Sequence, residues 1–346
     1  MTETKRNPFK WFVDVFCKKW IWESFCVNLV YKKFDKWKGW LYLSPAMILL
    51  AIFTFWPIIN TLRMAFTVDY DILAEMNGAT FEIGFGNFAN VFANPNLPGN
   101  FVSCLKNTMI LCFITVPLST ILALVIAVCL NAIKPLQRFL QTIFFLPYVT
   151  NSIAIGMVFA AMFHIIGTAL GKPAENIESF GIINNIIMFF GGTPINFMDA
   201  GSDYWSNIFV LVVYIVWNAL PFKILILLGG LQSVNKQYYE AAKIDATPRL
   251  RVFTKITVPL LSPMLAYVVI TGFIGGFKEY SSIVGIFGED MGTVGGAYRL
   301  DTMVGMIYRS IESNQGQASA AALVLFAIIF VVTMINLYVS KKKTHY

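Results

Sequence analysis

The sequence predicts an all-α polytopic membrane protein with six transmembrane helices. Three observations carry that reading. The chain of 346 residues is 57% hydrophobic and 13% charged, whereas an ordinary soluble domain is about 25% charged. Its apolar residues fall into six runs near the length of about 20 residues that a helix needs to cross the hydrocarbon core. Its Lys and Arg residues gather just outside those runs, as membrane topology requires, and form no stripe of the kind a nucleic-acid binder presents. The net charge of +7 is therefore read as orientation, and no nucleic-acid partner is expected.

The first element is an arm over residues 1–40. Between residues 8 and 40 it mixes Trp11, Phe16, Trp20, Trp22, Tyr31 and Trp37 with lysines such as Lys10, Lys18, Lys32 and Lys36. Aromatic rings sit at headgroup depth and lysines reach the phosphates, so interfacial helices lying on the bilayer are expected. No uncharged core followed by a small-residue cleavage site, the mark of a cleaved signal peptide, occurs there.

The spans follow at residues 41–62, 107–130, 142–163, 207–230, 264–287 and 319–339, within a membrane domain of residues 41–340, and a basic tail closes the chain at 341–346. Pro117, Pro147 and several glycines in the second, third and fifth runs mark those spans as the ones expected to bend. Of the 26 basic residues, 19 lie in the two termini and the two connections on their side, and five in the opposite segments. The positive-inside rule then makes both termini cytoplasmic. The protein is expected in the cell membrane of a prokaryote. His164, His345 and five cysteines without CxxC or HExxH spacing offer no metal site, and the thiols are read as unpaired.

The connection at residues 231–263 reads as a short helix, a turn and a second short helix. Tyr239, Ala242 and Ala246 share a face at helical spacing, Pro248 suits a first turn, and Pro259 is expected to end the second helix. Small Ala241 and Ala242 permit close approach by another protein, and Glu240 offers a carboxylate to a backbone or basic partner.

The run Glu240, Ala241, Ala242, Ile244, Asp245, then Phe253, Ile256, Thr257, Pro259, Leu260, Leu261 and Pro263 resembles the EAA loop of ATP-binding-cassette importer permeases of the carbohydrate uptake family. Weaker echoes are Phe85-Gly-Asn-Phe, Asn107-Thr108, Phe145-Leu-Pro-Tyr148 and Gly181-Ile-Ile-Asn184, in the family's order. The resemblance implies the type I ABC importer (MetI-like) permease fold. It also implies that Glu240, Ala241, Ala242, Asp245 and Ala246 form a coupling helix docked on a cytoplasmic ATPase. The family's usual glycine after the aspartate is Ala246 here. If that position needs φ above zero, alanine is strained by about 1 kcal/mol.

Polar groups inside a span are costly unless they face a cavity or a partner. Tyr148 and Ser152, Asn218 and Phe222, and the stripe Gly272, Gly276 and Glu279 stand at helical spacing. Together they combine hydrogen-bonding groups with flat apolar faces, the mixture a sugar needs. The resemblance places the same seven residues along the solute cavity of oligosaccharide permeases. Glu279 has a second reading, an ion pair with Lys278 or Lys223, and Gly272 with Gly276 a second reading as a helix-packing pair.

The chain has no phosphate-cradling G-x-x-x-x-G-K-[ST] loop, since Gly171-Lys172 is followed by Pro173. It is not expected to be an enzyme or to hold a cofactor. ATP and Mg would be used by two cytoplasmic ABC ATPase subunits, and the resemblance adds a homologous second permease subunit, an extracellular solute-binding protein and a carbohydrate solute. The alternative is an ion- or proton-coupled secondary transporter that works without ATPase partners.

Overall fold

The computed structural model describes residues 32–93, 99–133, 137–165, 181–293 and 296–343. Residues 1–31 of the arm expected over 1–40, Lys172, His345 and the end of the basic tail lie outside the described residues. In chain order the helices are α1 (Lys32–Leu50), α2 (Trp56–Phe66), α3 (Ile72–Met76), α4 (Gly86–Phe92), α5 (Phe101–Ala132), α6 (Gln137–Val149), α7 (Ser152–Phe163) and α8 (Ile182–Phe189). They continue with α9 (Tyr204–Ser233), α10 (Lys236–Ile244), α11 (Arg249–Val252), α12 (Val258–Leu260), α13 (Ser262–Phe277), α14 (Ser281–Phe287), α15 (Met303–Ser313) and α16 (Gln315–Lys343).

Among the described residues, four helical stretches are long and apolar enough to cross a membrane: Gly39–Phe66, Phe101–Ala132, Tyr204–Ser233 and Gln315–Lys341. Two bent pairs, Gln141–Val149 with Ser152–Phe163 at 104° and Arg249–Leu260 with Ser262–Phe277 at 69°, bring the number to six if each pair is one span.

Of the three spans expected to bend, the third and fifth break and the second does not. The third span turns at Thr150 and Asn151, where the Asn151 side-chain oxygen accepts from the Ile153 and Ala154 amides and starts α7 afresh. Tyr148 and Ser152 therefore do not share a helix face. The second span, expected to bend at Pro117, is one unbroken helix. A proline removes a single ladder bond, and α5 is held along its length by α9 and α13. The fifth run breaks at Lys278, after which α14 begins. Glu279 thus lies in a break between helices and not on a helical stripe with Gly272 and Gly276.

Two π turns have a common cause. The Trp56 amide reaches Ala51 O and the Val258 amide reaches Phe253 O, and the next residue is Pro57 in one case and Pro259 in the other. Proline cannot donate to the carbonyl four residues back, and its ring crowds that carbonyl. A widened turn just before it absorbs the conflict. Pro259 consequently sits inside a helical run that continues to Leu260, where a stop was expected.

The chain divides into two units, residues 1–63 and 64–346. In the first, the apolar helix buries none of its spanning window, which is the surface of a helix facing lipid or another chain. Ser44 donates to Leu41 O at 2.7 Å, the carbonyl that Pro45 cannot reach. In the second unit α5 and α9 form the spine. One cluster centres on Tyr214, Leu211 and Ile283, where α7, α9 and α14 meet. A second joins Cys112, Phe277, Met303 and Ala320, and a third joins Ala127, Leu227, Leu261 and Val268. Cys104, Cys112 and Cys129 are free thiols; Cys17 and Cys26 lie outside the described residues.

Three of the four weak sequence echoes carry buried asparagines that satisfy backbone. Asn87 donates to Thr67 O at 2.7 Å and Ala65 O at 3.2 Å, closing the end of α2. Asn107 donates to Asp301 O at 2.8 Å and Arg299 O at 3.0 Å, while Tyr204 donates to its side-chain oxygen. Asn184 exchanges two bonds with the Ile195 backbone. Gly181 is required by close approach, since a Cβ there would stand 2.4 Å from Met162 O. Beyond the spans, His164 Nδ1 lies 2.6 Å from Asp199 Oδ1, and this hydrogen bond raises the imidazole above its ordinary value. Asp301 is buried and pairs with Arg309 at 3.0 Å, close enough for an ion pair though off-line for a hydrogen bond. Burial pushes its carboxyl up to about 6 against the opposing pull of Arg309.

Candidate functional site

Among the seven residues expected at a cavity, the fold brings six to one cleft of about 310 Å³: Tyr148, Asn218, Phe222, Gly272, Gly276 and Glu279. The cleft lies between α5, α6, α9 and α13. Its apolar wall is the Tyr148 ring stacked on Phe222, with centroids 5.9 Å apart and planes 17° from parallel. This pair forms across the helix boundary because α6 packs on α9.

Ser152 stands behind this wall. Its hydroxyl shares a 3.0 Å hydrogen bond with Tyr214 and accepts from Asn218 Nδ2 at 3.3 Å, while Tyr214 also donates to the Ser152 carbonyl. Asn218 is thereby oriented, and its side-chain oxygen has no partner among the described residues. Ser152 positions the cleft; it does not line it.

The charged groups did not form the ion pair that was one reading of Glu279. Lys223 is buried and spends its three protons on Ser119 Oγ at 2.6 Å, Thr120 Oγ1 at 3.0 Å and Val116 O at 3.2 Å. Its acceptors are all on α5, so the ammonium ties α9 to α5. Glu279 Oε1 accepts from the Ser282 amide at 3.2 Å, and its backbone carbonyl accepts from Thr302 at 2.9 Å. Ion pairs stand elsewhere, at His164–Asp199 and Arg309–Asp301. The cleft therefore carries one basic and one acidic side chain, each held separately.

The glycine pair packs helices together and also borders the cleft. A Cβ at Gly276 would stand 2.8 Å from Cys112 Sγ, and one at Gly272 3.1 Å from Val116 Cγ1. The missing side chains let α13 close on α5, and both positions also open on the cleft. Sequence reasoning missed Thr115, Ser119 and Thr271, which line the cleft as well. The signal was present: Thr115 and Ser119 are polar at i, i+4 inside an apolar span.

A second feature stands at the opposite end of α9. Asn235 caps α10 by accepting from the Gln237 amide at 3.0 Å. The helix ends with Thr247 N–H on Ala242 O at 2.9 Å and Ala246 N–H on Lys243 O at 3.1 Å, the paired bonds of a Schellman end. Ala246 takes φ +50°, where glycine is usual, and it lies beyond the helix, so it does not continue the Tyr239 and Ala242 face. Ala242 is buried, and Tyr239 lies 3.4 Å from Thr257 across the turn. Glu240, Ala241 and Asp245 are exposed. So are three large apolar side chains, Ile244 at 87%, Leu250 at 75% and Tyr238 at 54%. Isolated exposed apolar residues need no explanation, but here three stand on one short polar loop.

The profile of the family described as "Binding-protein-dependent transport system inner membrane component" matches residues 97–345. The chain is 27% identical over 310 residues to the lactose transport system permease protein LacF of Rhizobium radiobacter, covering 88% of this chain and 93% of that one. It is 27% identical over 317 residues to the arabinooligosaccharides transport system permease protein AraP of Bacillus subtilis (strain 168), covering 90% and 91%. The fold matches a chain of a bacterial alginate ABC transporter, crystallised in complex with an alginate pentasaccharide-bound periplasmic protein. The TM-score there is 0.71, with 21% identity and coverage of 92% of this chain and 98% of that one. The all-helical fold is that of the ABC importer permeases.

Proposed function

We propose that this chain, which belongs to the family of binding-protein-dependent transport system inner membrane components, forms half of the path by which a sugar or oligosaccharide crosses the membrane. The observation that carries the reading is the cleft. Flat rings at Tyr148 and Phe222, the oriented amide of Asn218, and the carboxylate of Glu279 converge at membrane depth. A sugar offers C–H faces to rings and hydroxyls to amide and carboxylate, and few other neutral solutes use both. The relatives' printed names, a lactose and an arabinooligosaccharide permease among them, agree with that chemistry.

Energy comes from outside the chain. In this reading the loop at residues 231–263 docks on a cytoplasmic ATPase subunit, with Glu240, Ala241, Ala242, Asp245 and Ala246 at the contact and Ile244 and Leu250 as its apolar anchors. A second permease subunit completes the cleft, two ATPase subunits use ATP and Mg, and an extracellular binding protein delivers the solute. Both termini face the cytoplasm. ATPase closure pushes on α10, and the push enters the bundle through the bend between α12 and α13. Because α13 carries Gly272 and Gly276 against α5, moving it changes the width of the cleft. The cleft then alternates between the two faces of the membrane.

Co-purification tests the docking role. Glu240→Ala and Ile244→Asp should each reduce the ATPase retained with the chain while leaving membrane insertion intact. Retention at the level of the unaltered chain for both variants would refute it.

A further inference from the structure

A second concavity, of about 380 Å³, lies away from the cleft, between the α12–α13 bend and the end of α16. Its walls are mostly aliphatic, with Val258, Leu265, Val269 and Val339 among them, and no acidic residue lines it. Two polar residues stand in this apolar lining, Ser262 and Asn336. Ser262 Oγ is buried with no hydrogen-bond partner. Asn336 donates to Val332 O at 3.0 Å, and its side-chain oxygen has no partner among the described residues. Unpaired hydroxyl and amide groups at membrane depth are costly, so the groove is built for something both apolar and hydrogen-bonding.

The charges name the rest of the ligand. α13 leads into the bundle from the loop while α16 leads out of it, so Val258 and Ser340 stand at the same end of the groove. Exposed Lys255 comes less than a turn before Val258, and exposed Lys341 follows Ser340 and opens a run of three lysines. Each wall thus has an exposed lysine within three residues of its lining at that end.

We propose that this groove is a site for one anionic phospholipid. An acyl chain lies along Leu265, Val269 and Val339, the glycerol ester oxygens accept from Ser262 Oγ, and the phosphate sits between Lys255 and Lys341. The site adjoins the 69° bend, so an occupied groove stiffens the joint through which motion of α10 reaches α13. Basic side chains near an anionic headgroup are worth about 1 kcal/mol each, so preference for an anionic over a zwitterionic lipid should be roughly tenfold or more.

Native mass spectrometry tests this on the chain purified in mild detergent with whatever subunits accompany it. Phosphatidylglycerol and phosphatidylcholine of equal acyl length are the probes. One phosphatidylglycerol should be retained about tenfold more tightly than phosphatidylcholine. The surface double variant Lys255→Gln with Lys341→Gln should erase that preference, and Ala266→Phe, which fills the groove, should reduce retention of both lipids. Equal retention of the two lipids by the unaltered chain would overturn the proposal. So would a preference untouched by the double variant, or a groove closed to both lipids because another subunit occupies it.

Discussion

Replacing Ala246 by glycine should make the 231–263 loop more stable. Ala246 is exposed and holds φ +50° at the end of α10, so its side chain contributes little packing and keeps its Cβ in the left-handed region. That conformation costs an L-residue roughly 1–2 kcal/mol. Glycine avoids it but gives back about 0.5–1 kcal/mol in unfolded-chain entropy, leaving a net gain of about 0.5–1 kcal/mol. The gain belongs to the Schellman end, whose amides at Asp245, Ala246 and Thr247 bond to Ala241, Lys243 and Ala242 carbonyls. Hydrogen exchange of a peptide covering residues 236–252 reads it directly. In Ala246→Gly those amides should exchange about twofold to fivefold more slowly. Ala241→Gly, inside the same helix, should lose about 1 kcal/mol and exchange faster. Unchanged or faster exchange in Ala246→Gly would refute the assignment of strain to this position.

Other consequences follow from the same geometry. Tyr148→Ala should remove the ring stacked on Phe222 and reduce uptake of the native solute at least tenfold with membrane insertion intact; uptake at the unaltered rate would remove that wall from the path. Gly156→Ala drives a Cβ to 2.8 Å from the Gly285 Cα and should destabilise the α7–α14 contact by about 1–3 kcal/mol. Gly229→Ala, with nothing within 4 Å, should be neutral or stabilising in the same thermal-unfolding assay in detergent. For Asp301 the folded carboxyl is raised from 3.8 to about 6, so the folded state holds a proton that the unfolded chain releases. Its contribution is full below about pH 4 and is lost as pH rises through about 6, a component of roughly 3 kcal/mol. Unfolding curves at pH 4–7 should show it, and Asp301→Asn should flatten it.

Spans were legible because lipid demands long apolar runs whatever their neighbours are. Their breaks were not. Pro117 and Pro147 carry the same local penalty, yet α5 runs through the first and the third span turns only at the Asn151 cap. The deciding factor is tertiary: α5 is braced by α9 and α13, whereas α6 packs on α9 and α7 chiefly on α14. Glu279 was placed on a helical stripe because nothing local warns that α13 stops at Phe277; its contacts with Ser282 and Thr302 belong to the loop packing beyond. The six cleft residues were found by the cost of polar groups in lipid together with family resemblance, and the same cost applied to Thr115 and Ser119 would have extended the set. Lys223 was visible as an anomaly, but its partners were three neutral acceptors on another helix, which no charge pattern reveals. The asparagine echoes had no physical meaning until Asn87, Asn107 and Asn184 were seen closing backbone that no helix closes.

Reconstitution is the most direct test of the central claim, that this chain is a conduit driven by ATPase partners through its exposed loop. Proteoliposomes holding the chain with its second permease subunit, its ATPase and its binding protein should accumulate a labelled oligosaccharide only when ATP is supplied on the ATPase side, and the chain alone should accumulate none under a proton or sodium gradient. Gradient-driven uptake by the chain alone, without ATP, would contradict the account.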